Sequence, residues 1–265
     1  MKKLNLLVIY GGTSPERNVS LASGEAIATA LRELGHNVSR LDPALPDLLV
    51  PEGQNLAGEA IGAETDNRSW RDLEPQELLQ LVEMTSQLAP DLVYIALHGG
   101  WGENGALQGL LELAGIRYTG SGVLASAAAM DKHYTKRLAR HLGITLPRSE
   151  LFRRGISENV PRPDYGFPVI VKPNAMGSTL GLCLAEDRAE MERAIELILQ
   201  DLKDDVLVEE FIPGSEITCT VLGGEALPLV EIKPREGFYD YINKYTEGKT
   251  DYLVPAPLAE EVTHR

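Results

Sequence analysis

Residues 4–20 read LNLLVIYGGTSPERNVS. The near-continuous apolar run over residues 4–10 is typical of a strand that is buried on both faces of a parallel sheet. A glycine-rich loop follows over residues 11–18, and the apolar spacing after it predicts a helix over residues 19–34. Residues 38–41 read as the next strand. The chain therefore opens with a β-α-β unit, which predicts a doubly wound α/β sheet of Rossmann type.

The first half of the chain continues this alternation of strands and helices. Residues 43–72 are rich in Pro, Gly, Asp, Glu and Asn without a lasting period, and we expect an irregular surface insertion there. Around it, the pattern predicts helices over 75–88, 106–114 and 123–142 and strands over 92–97 and 116–119.

The character of the sequence changes after residue 143. Strands are predicted over 167–171, 181–184, 206–211 and 216–222, with a helix over 186–202. This pattern indicates an α+β unit built from hairpins. We expect three domains, at residues 1–120, 121–213 and 214–265.

Composition excludes several classes of protein. The 265 residues are 43% hydrophobic and 24% charged, which is enough apolar material for a sizeable core. The net charge of -14 disfavours nucleic acid and anionic membranes as partners. The two cysteines have no metal-ligand spacing, and neither a signal peptide nor an apolar membrane span is apparent. We therefore expect a cytoplasmic protein.

Two common nucleotide-binding motifs are only partly matched. Gly248-Lys249-Thr250 resembles the end of a P-loop, but the glycine required five residues earlier is Asn243. Gly120-Ser121-Gly122 resembles a dinucleotide fingerprint, but no acidic residue follows over 140–149 to bind a ribose. A tight turn into a helix is the better interpretation of the second motif.

A stronger phosphate-binding signal lies at residues 169–181, VIVKPNAMGSTLG. A predicted strand carries Lys172 near its end, and the small residues Gly177, Ser178 and Thr179 would let backbone N–H groups approach phosphate oxygens. An ordinary hairpin with a solvated lysine is an equally good interpretation of this segment alone.

Two further segments could complete a nucleotide site. The strand ending in Glu209-Glu210-Phe211-Ile212, with Glu216 beyond it, could offer backbone groups to an adenine and a carboxylate to a ribose. Residues 238–245, FYDYINKY, place three tyrosines beside a lysine in a predicted loop, which suits a lid over a ligand. A solvated strand edge and an aromatic surface loop remain the alternatives.

Taken together, these segments resemble the ATP-grasp ligases, and most closely the D-alanine–D-alanine ligase family. The resemblance covers nearly the whole chain. It is carried by GGTSPERNVS at 11–20, HGGWGENG at 98–105, Met130-Asp131-Lys132, the Lys172 loop and the 238–245 segment. Asn104 stands where the commoner residue is Asp. The resemblance implies an ATP-grasp fold behind the Rossmann-like domain, with the last domain incomplete.

The resemblance also implies roles for individual residues. It implies catalytic roles for Glu16, Ser178 and Tyr245 as a hydrogen-bonded trio, and contacts to D-alanine from Glu16, Val19, His98 and Ser178. A structural histidine is the alternative for His98. The implied ATP-binding residues are Lys132, Lys172, Gly177, Ser178, Thr179, Glu209, Glu210, Phe211, Ile212, Glu216 and Lys244. Some family members carry lysine in place of Glu210, so its own role is open.

The activity implied by the resemblance is the ATP-dependent joining of two D-alanines through an acyl phosphate, for peptidoglycan precursors. Tyr245 would favour the dipeptide over D-alanyl-D-lactate. ATP and Mg²⁺ are the expected cofactors and a homodimer the expected assembly. The family's magnesium ligands and an arginine lie beyond a position like Arg265, so we expect these 265 residues alone to be inactive. Another carboxylate–amine ligase, or a nucleotide-binding relative without a metal, remains the alternative.

Overall fold

The computed structural model describes residues 2–45, 47–57, 73–237, 239, 241–246 and 248–263. The chain forms two compact units. The first comprises Met1–Ile144 with Ala175–Gly177, and the second comprises Thr145–Asn174 with Ser178–Arg265.

The first unit is an α/β layer built on a parallel sheet. Its described elements are β1 (Asn5–Ile9), α1 (Arg17–Glu33), β2 (Asn37–Leu41), α2 (Pro75–Leu88), β3 (Leu92–Ile95), a 3-10 turn (Gly100–Gly102), α3 (Ala106–Leu113), α4 (Val123–Met130) and α5 (Lys132–His141). The strand order is β2-β1-β3, and both pairings are parallel. The expected β-α-β opening is confirmed, and the loops after β1 and β3 leave the same edge of the sheet.

The core of the first unit lies on both faces of β1. Leu7 and Ile9 join one buried cluster with Leu41 and Leu81, whereas Val8 and Tyr10 join another with α1. Burial on both faces explains why residues 4–10 are apolar without alternation.

Truncation of this core should destabilise the protein strongly. Leu7 is fully buried, so Leu7→Ala is expected to lower the free energy of unfolding by about 3 kcal/mol through lost burial and a residual cavity. Urea unfolding followed by circular dichroism would measure the loss. Leu113→Ala is the matched control, because Leu113 is 90% exposed, and it should change stability by less than about 0.5 kcal/mol. Equal losses in the two variants would contradict this account of the core.

The second unit consists of antiparallel sheets and short helices. Its described elements are β4 (Ser149–Phe152), β5 (Val169–Pro173), β6 (Cys183–Ala185), α6 (Arg188–Leu197) with a wider π turn (Ile198–Leu202), β7 (Val206–Glu210), β8 (Glu216–Thr218), β9 (Val221–Leu222), β10 (Glu225–Ala226), β11 (Val230–Pro234), α7 (Tyr241–Tyr245), β12 (Thr250–Leu253) and α8 (Glu260–Thr263). The sheets have the orders β4-β7-β5-β6 and β12-β11-β8, and β9 and β10 form a separate hairpin.

Alternation along β5 and β7 divides the larger sheet into two faces. Val169, Val171, Val206 and Val208 are fully buried and pack in one cluster with Met191, Ile195 and Ile198 of the α6 segment. Successive side chains of a strand point to opposite faces. Lys172 and Glu209 therefore lie on the other face, where the register pairs Ile170 with Glu209 and Lys172 with Leu207.

Three predicted elements are wrong in detail. The helix expected over 123–142 is two helices, because Asp131 has an extended backbone and caps α5 by accepting a hydrogen bond from the Tyr134 backbone N–H at 2.7 Å. The strand expected over 216–222 is interrupted at Cys219 and Thr220, and β9 pairs instead with β10. The segment at residues 238–245, which is predicted to be a loop, contains the short helix α7.

Two other predicted segments are only partly described. Over 116–119 the structure has a single parallel bridge, between Val93 and Tyr118. The insertion predicted at 43–72 is irregular over the residues described, with one bridge between Leu41 and Leu49, and residues 46 and 58–72 lie outside the description. None of the described helices is long and apolar enough to cross a membrane.

Candidate active site

Glu16 is one of the buried acids of the first unit. It immediately precedes α1 and is only 5% exposed. Its backbone N–H donates to Ser14 Oγ at 3.2 Å, and that hydroxyl donates to the backbone oxygen of His98 at 2.5 Å. The loop between β1 and α1 is thus tied to the loop after β3. The start of α1 carries a partial positive charge that favours a carboxylate at this point.

Glycines allow two loops to approach the Glu16 carboxylate. A Cβ atom added to Gly99 would lie 2.5 Å from Glu16 Oε2, and one added to Gly177 would lie 3.3 Å from the same oxygen. Gly99 also has a φ of 69°, in the left-handed region that disfavours other residues. Gly99 and Gly177 therefore line the space around this carboxylate.

His98 and Glu103 lie on the loop after β3. The His98 Nε2 atom is 3.3 Å from Ser23 Oγ, and Nδ1 is 3.9 Å from Glu103 Oε1. Gln108, which is buried, donates to the backbone oxygen of Gly102 at 2.9 Å and holds the turn. Surrounding protein atoms desolvate Glu103 and the Glu16 charge adds repulsion, so the pKa of Glu103 is raised above its ordinary value.

This raised pKa makes a testable contribution to stability. The native state binds the Glu103 proton more tightly than the unfolded state, so stability falls as pH rises from the unfolded pKa to the folded pKa. Glu103→Gln is therefore expected to raise the free energy of unfolding at about pH 8. At about pH 4 it should have little effect, because the Glu103 carboxyl is then mostly protonated in the folded and the unfolded state and is uncharged like glutamine. Urea unfolding at the two pH values measures this, and an equal change at both would contradict the assignment.

A cavity of about 490 Å³ adjoins this site within the first unit. Lys132, at the start of α5, lines it and donates from Nζ to the backbone oxygen of Met176 at 2.5 Å. Glu103, Gln108, Met130 and Gly177 also line the cavity. The first unit thus brings together Glu16, His98, Lys132 and Gly177.

Lys172 and Glu209 form the buried ion pair of the second unit. Lys172 Nζ donates to Glu209 Oε2 at 2.5 Å, and the two side chains are 22% and 11% exposed. The antiparallel register of β5 and β7 places them diagonally on one face. Glu209 therefore orients the ammonium group of Lys172.

The loop after β5 is joined to the α7 segment by hydroxyl groups. Ser178 and Thr179 have φ values of 50° and 62°, which are costly for residues other than glycine. Ser178 Oγ lies 2.7 Å from the Tyr245 hydroxyl, and Thr179 Oγ1 donates to the backbone oxygen of Tyr239 at 3.0 Å. The unusual backbone conformation directs both hydroxyl groups toward one segment.

The Lys244 and Tyr239 side chains extend this network. Lys244 Nζ lies 5.0 Å from the centre of the Tyr239 ring, and the Tyr239 hydroxyl is 2.9 Å from that of Tyr252. Burial and the Tyr252 hydroxyl raise the pKa of Tyr239. Phe238 and Asp240, which also belong to the predicted lid, lie outside the described residues.

The expected adenine and ribose segment leaves the sheet at the end of β7. Glu210 is engaged by Arg148, which donates from Nε and Nη2 at 3.1 and 3.0 Å and lowers the pKa of Glu210. Phe211 is partly buried, whereas Ile212 and Glu216 are exposed. The Glu210 carboxylate thus holds the start of β4, and the segment beyond it is accessible.

Comparison with known proteins identifies the family. The chain is 41% identical over 260 residues to the D-alanine–D-alanine ligase of Syntrophotalea carbinolica, covering 98% of this chain and 73% of that protein. The chain belongs to the D-alanine–D-alanine ligase family. The family descriptions "D-ala D-ala ligase N-terminus" and "D-ala D-ala ligase C-terminus" match residues 5–121 and 138–265.

Solved structures of D-alanine–D-alanine ligases share the fold. The ligase from Bacillus anthracis complexed with ATP matches 99% of this chain and 74% of its own, with 27% identity and a TM-score of 0.73. The VanG D-Ala:D-Ser ligase from Enterococcus faecalis matches 100% of this chain and 80% of its own, with 27% identity and a TM-score of 0.66. The expected α/β architecture with an ATP-grasp fold is confirmed.

Val19, the remaining residue predicted to contact D-alanine, is buried in α1. In the part of the chain that the structure describes, no group of three or more His, Cys, Asp or Glu side chains could hold a metal ion. Asp42 lies directly after β2, contacts the loop of Glu16 and is not among the residues that the sequence predicts for the site. An acidic residue after a parallel strand was the available signal.

Proposed function

We propose that this protein joins two D-alanine molecules at the expense of ATP and forms an acyl phosphate on the way. The observation that carries the proposal is the buried Glu16 carboxylate, held at the start of α1 with glycines against it. A buried, oriented carboxylate is well suited to bind the ammonium group of an amino acid. The names of the relatives and the matching of both halves of the chain support the same activity.

The first D-alanine is proposed to bind beside Glu16. Glu16 is assigned to accept hydrogen bonds from its ammonium group, and Val19 and His98 are assigned to the same pocket. The hydroxyl pair of Ser178 and Tyr245 is assigned to orienting this substrate and closing the loop over it. Support for the pair comes from its 2.7 Å separation and from the strained backbone that Ser178 adopts to make it.

Lysines are proposed to carry the charge of ATP. Lys132, Lys172 and Lys244 offset the phosphate charges, and the backbone of Gly177, Ser178 and Thr179 donates to phosphate oxygens. The backbone of residues 209–212 is assigned to adenine and Glu216 to the ribose. Because the Glu209 and Glu210 side chains bind Lys172 and Arg148, we assign them to holding the site in shape.

The proposed chemistry has two steps. The carboxylate of the first D-alanine attacks the γ-phosphorus of ATP, the bond to the β-phosphate oxygen breaks, and ADP leaves. The amine of the second D-alanine then attacks the activated carbonyl carbon, the bond between that carbon and the phosphate oxygen breaks, and inorganic phosphate leaves. A proton leaves the amine as the peptide forms. Positioning and charge stabilisation provide most of the acceleration in such transfers.

The α7 segment is proposed to act as a lid. Closure over the acyl phosphate would keep water from hydrolysing it. The hydrogen bond between the Ser178 and Tyr245 hydroxyls and the one from Thr179 to the backbone oxygen of Tyr239 support this assignment, because they join residues 177–179 to the lid.

The wider setting of the enzyme is a proposal that the same family membership supports. We propose that it works in the cytoplasm on small molecules, supplies peptidoglycan precursors, forms a homodimer and binds neither nucleic acid nor membrane. Mg²⁺ is proposed as the companion of ATP, and no step is assigned to it. The three-domain division at 1–120, 121–213 and 214–265 stays a prediction.

An ADP-release assay tests the proposed function directly. Protein expressed from its own gene would be given ATP, Mg²⁺ and, in separate reactions, D-alanine, L-alanine, D-serine or D-lactate with D-alanine. We expect ADP release with D-alanine alone and D-alanyl-D-alanine as its product by mass spectrometry. Turnover only with another acceptor would favour a different carboxylate–amine ligase. ATP binding without turnover in every arm would favour a non-catalytic nucleotide-binding relative.

A further inference from the structure

Asp42 carries a fully buried carboxylate and directly follows β2, the strand that pairs with β1. Its oxygens accept hydrogen bonds from the Gly12 backbone N–H at 3.0 Å and from the Ala44 backbone N–H at 2.9 Å. They also accept a two-pronged contact from Arg17, with Nη1 at 2.9 Å and Nη2 at 2.6 Å. The Asp42 carboxylate thus accepts hydrogen bonds from the loop between β1 and α1, from Arg17 at the start of α1, and from the turn that follows Asp42 itself.

Arg17 closes this loop from the other end. Its Nη1 atom also donates to the backbone oxygen of Gly12 at 2.7 Å. The guanidinium group therefore joins the first residue of α1 to the start of the loop, and Asp42 fixes the guanidinium plane. A bidentate arginine–carboxylate contact restricts both position and orientation.

The loop backbone is shaped to admit the Asp42 carboxylate. A Cβ atom added to Gly11 would lie 2.6 Å from Asp42 Oδ1, and Gly11 and Gly12 have φ values of 74° and 73°. Gly11 is therefore required by the buried acid as well as by its positive φ, whereas a Cβ atom on Gly12 would meet Leu97 Cδ2 at 2.8 Å. Their place in the loop is explained without any direct contact to a substrate.

Glu16 lies inside the segment that Asp42 restrains. It is the residue next to Arg17, and the Ser14 hydroxyl ties the middle of the loop to the backbone of His98. With both ends and the middle fixed, the Glu16 side chain has little freedom. A binding group held in place in this way retains more of its interaction energy for the ligand.

We propose that Asp42 is a positioning residue, which acts through Arg17 and the Gly12 backbone to hold Glu16 in the orientation that binds the amino-acid substrate. This inference rests on the proposed function. It assigns to the Asp42–Arg17 contact the role of holding the site for the first D-alanine in shape. Asp42 itself does not touch the substrate.

Asp42→Asn tests the inference with little change of volume. The asparagine oxygen can still accept from the Gly12 N–H and from Arg17 Nη1, but its NH₂ group faces the Arg17 Nη2 donor, so the two-pronged contact is lost. We expect the KM for D-alanine to rise on the order of tenfold or more, because a small misplacement of a binding group is costly. The KM for ATP should stay within about twofold, since the proposed ATP lysines lie on other segments.

Arg17→Lys provides a second variant that should fold readily, because the Arg17 side chain is 28% exposed. It keeps the charge and loses the two-pronged geometry, so the KM for D-alanine should rise by a smaller factor. The double variant should raise KM by less than the product of the single effects, since both remove the same contact.

Glu25→Gln is the matched control. It makes the same carboxylate-to-amide change in another buried ion pair of the first unit, where Arg40 Nη1 lies 2.7 Å from Glu25 Oε2. We expect it to lower the melting temperature and to leave the KM for D-alanine unchanged. Equal KM values in Asp42→Asn, Arg17→Lys and wild type would overturn the positioning role. Failure of the wild type to turn over D-alanine would instead overturn the proposed function.

Discussion

Lys172→Gln is expected to lower kcat/KM for ATP by about 10²–10³-fold in the D-alanine-dependent ADP-release assay. Lys172 is proposed to offset phosphate charge, and its ammonium group is oriented by Glu209 at 2.5 Å within a largely buried pair. Glutamine can still donate a hydrogen bond to Glu209, so the loss should reflect the missing positive charge rather than an unpaired carboxylate.

Lys203→Met is the control for this variant. Lys203 is an exposed lysine of the same unit and contributes to no proposed contact with ATP. Its replacement should leave kcat/KM for ATP within about twofold. A similar small effect of Lys172→Gln would mean that the Lys172–Glu209 pair serves the fold alone.

Gly99→Ala should reduce kcat/KM for D-alanine on the order of 10²-fold, because displacement of a binding group by about 1 Å has that cost. The new methyl group would lie 2.5 Å from Glu16 Oε2, so the carboxylate has to move. The KM for ATP should change much less.

Gly115→Ala separates this steric effect from backbone strain. Gly115 has a φ of 68°, close to the 69° of Gly99, but a Cβ added to it meets no atom within 4 Å. Gly115→Ala should lose on the order of 1 kcal/mol in urea unfolding. Gly99→Ala should lose more, because its methyl group also meets Glu16 and because the ψ of 169° at Gly99 belongs to a region that residues other than glycine rarely adopt. Loss of D-alanine turnover in both would show that strain, and not Glu16, is responsible.

Much of the fold could be predicted because the local pattern and the tertiary environment agree. The apolar run of β1 is buried on both faces. Helix α2 begins at Pro75 and ends at Leu88, as the sequence predicts. The Asp131 break was missed because apolar and basic residues continue across it. The boundary between α4 and α5 is revealed by the Asp131 side chain, which accepts a hydrogen bond from the Tyr134 N–H, and this cap depends on the local backbone.

Side-chain partners were less predictable than residue types. The sequence indicated Lys172 and residues 209–212 as parts of a nucleotide site, but it assigned no ion pair between Lys172 and Glu209. That pair depends on the register of two strands more than thirty residues apart, with Ile170 opposite Glu209. Similarly, the contact of Arg17 with Asp42 depends on the parallel pairing of β1 and β2.

The alternation of β5 and β7 has a consequence for folding as well as for the site. A shift of one residue in the pairing of β7 would turn Glu209 toward the cluster formed by Val169, Val171 and α6. An unpaired carboxylate in that apolar layer would cost several kcal/mol. Glu209, which is proposed to orient Lys172 for ATP, therefore also penalises the misaligned sheet, so one side chain contributes both to the proposed site and to correct strand alignment.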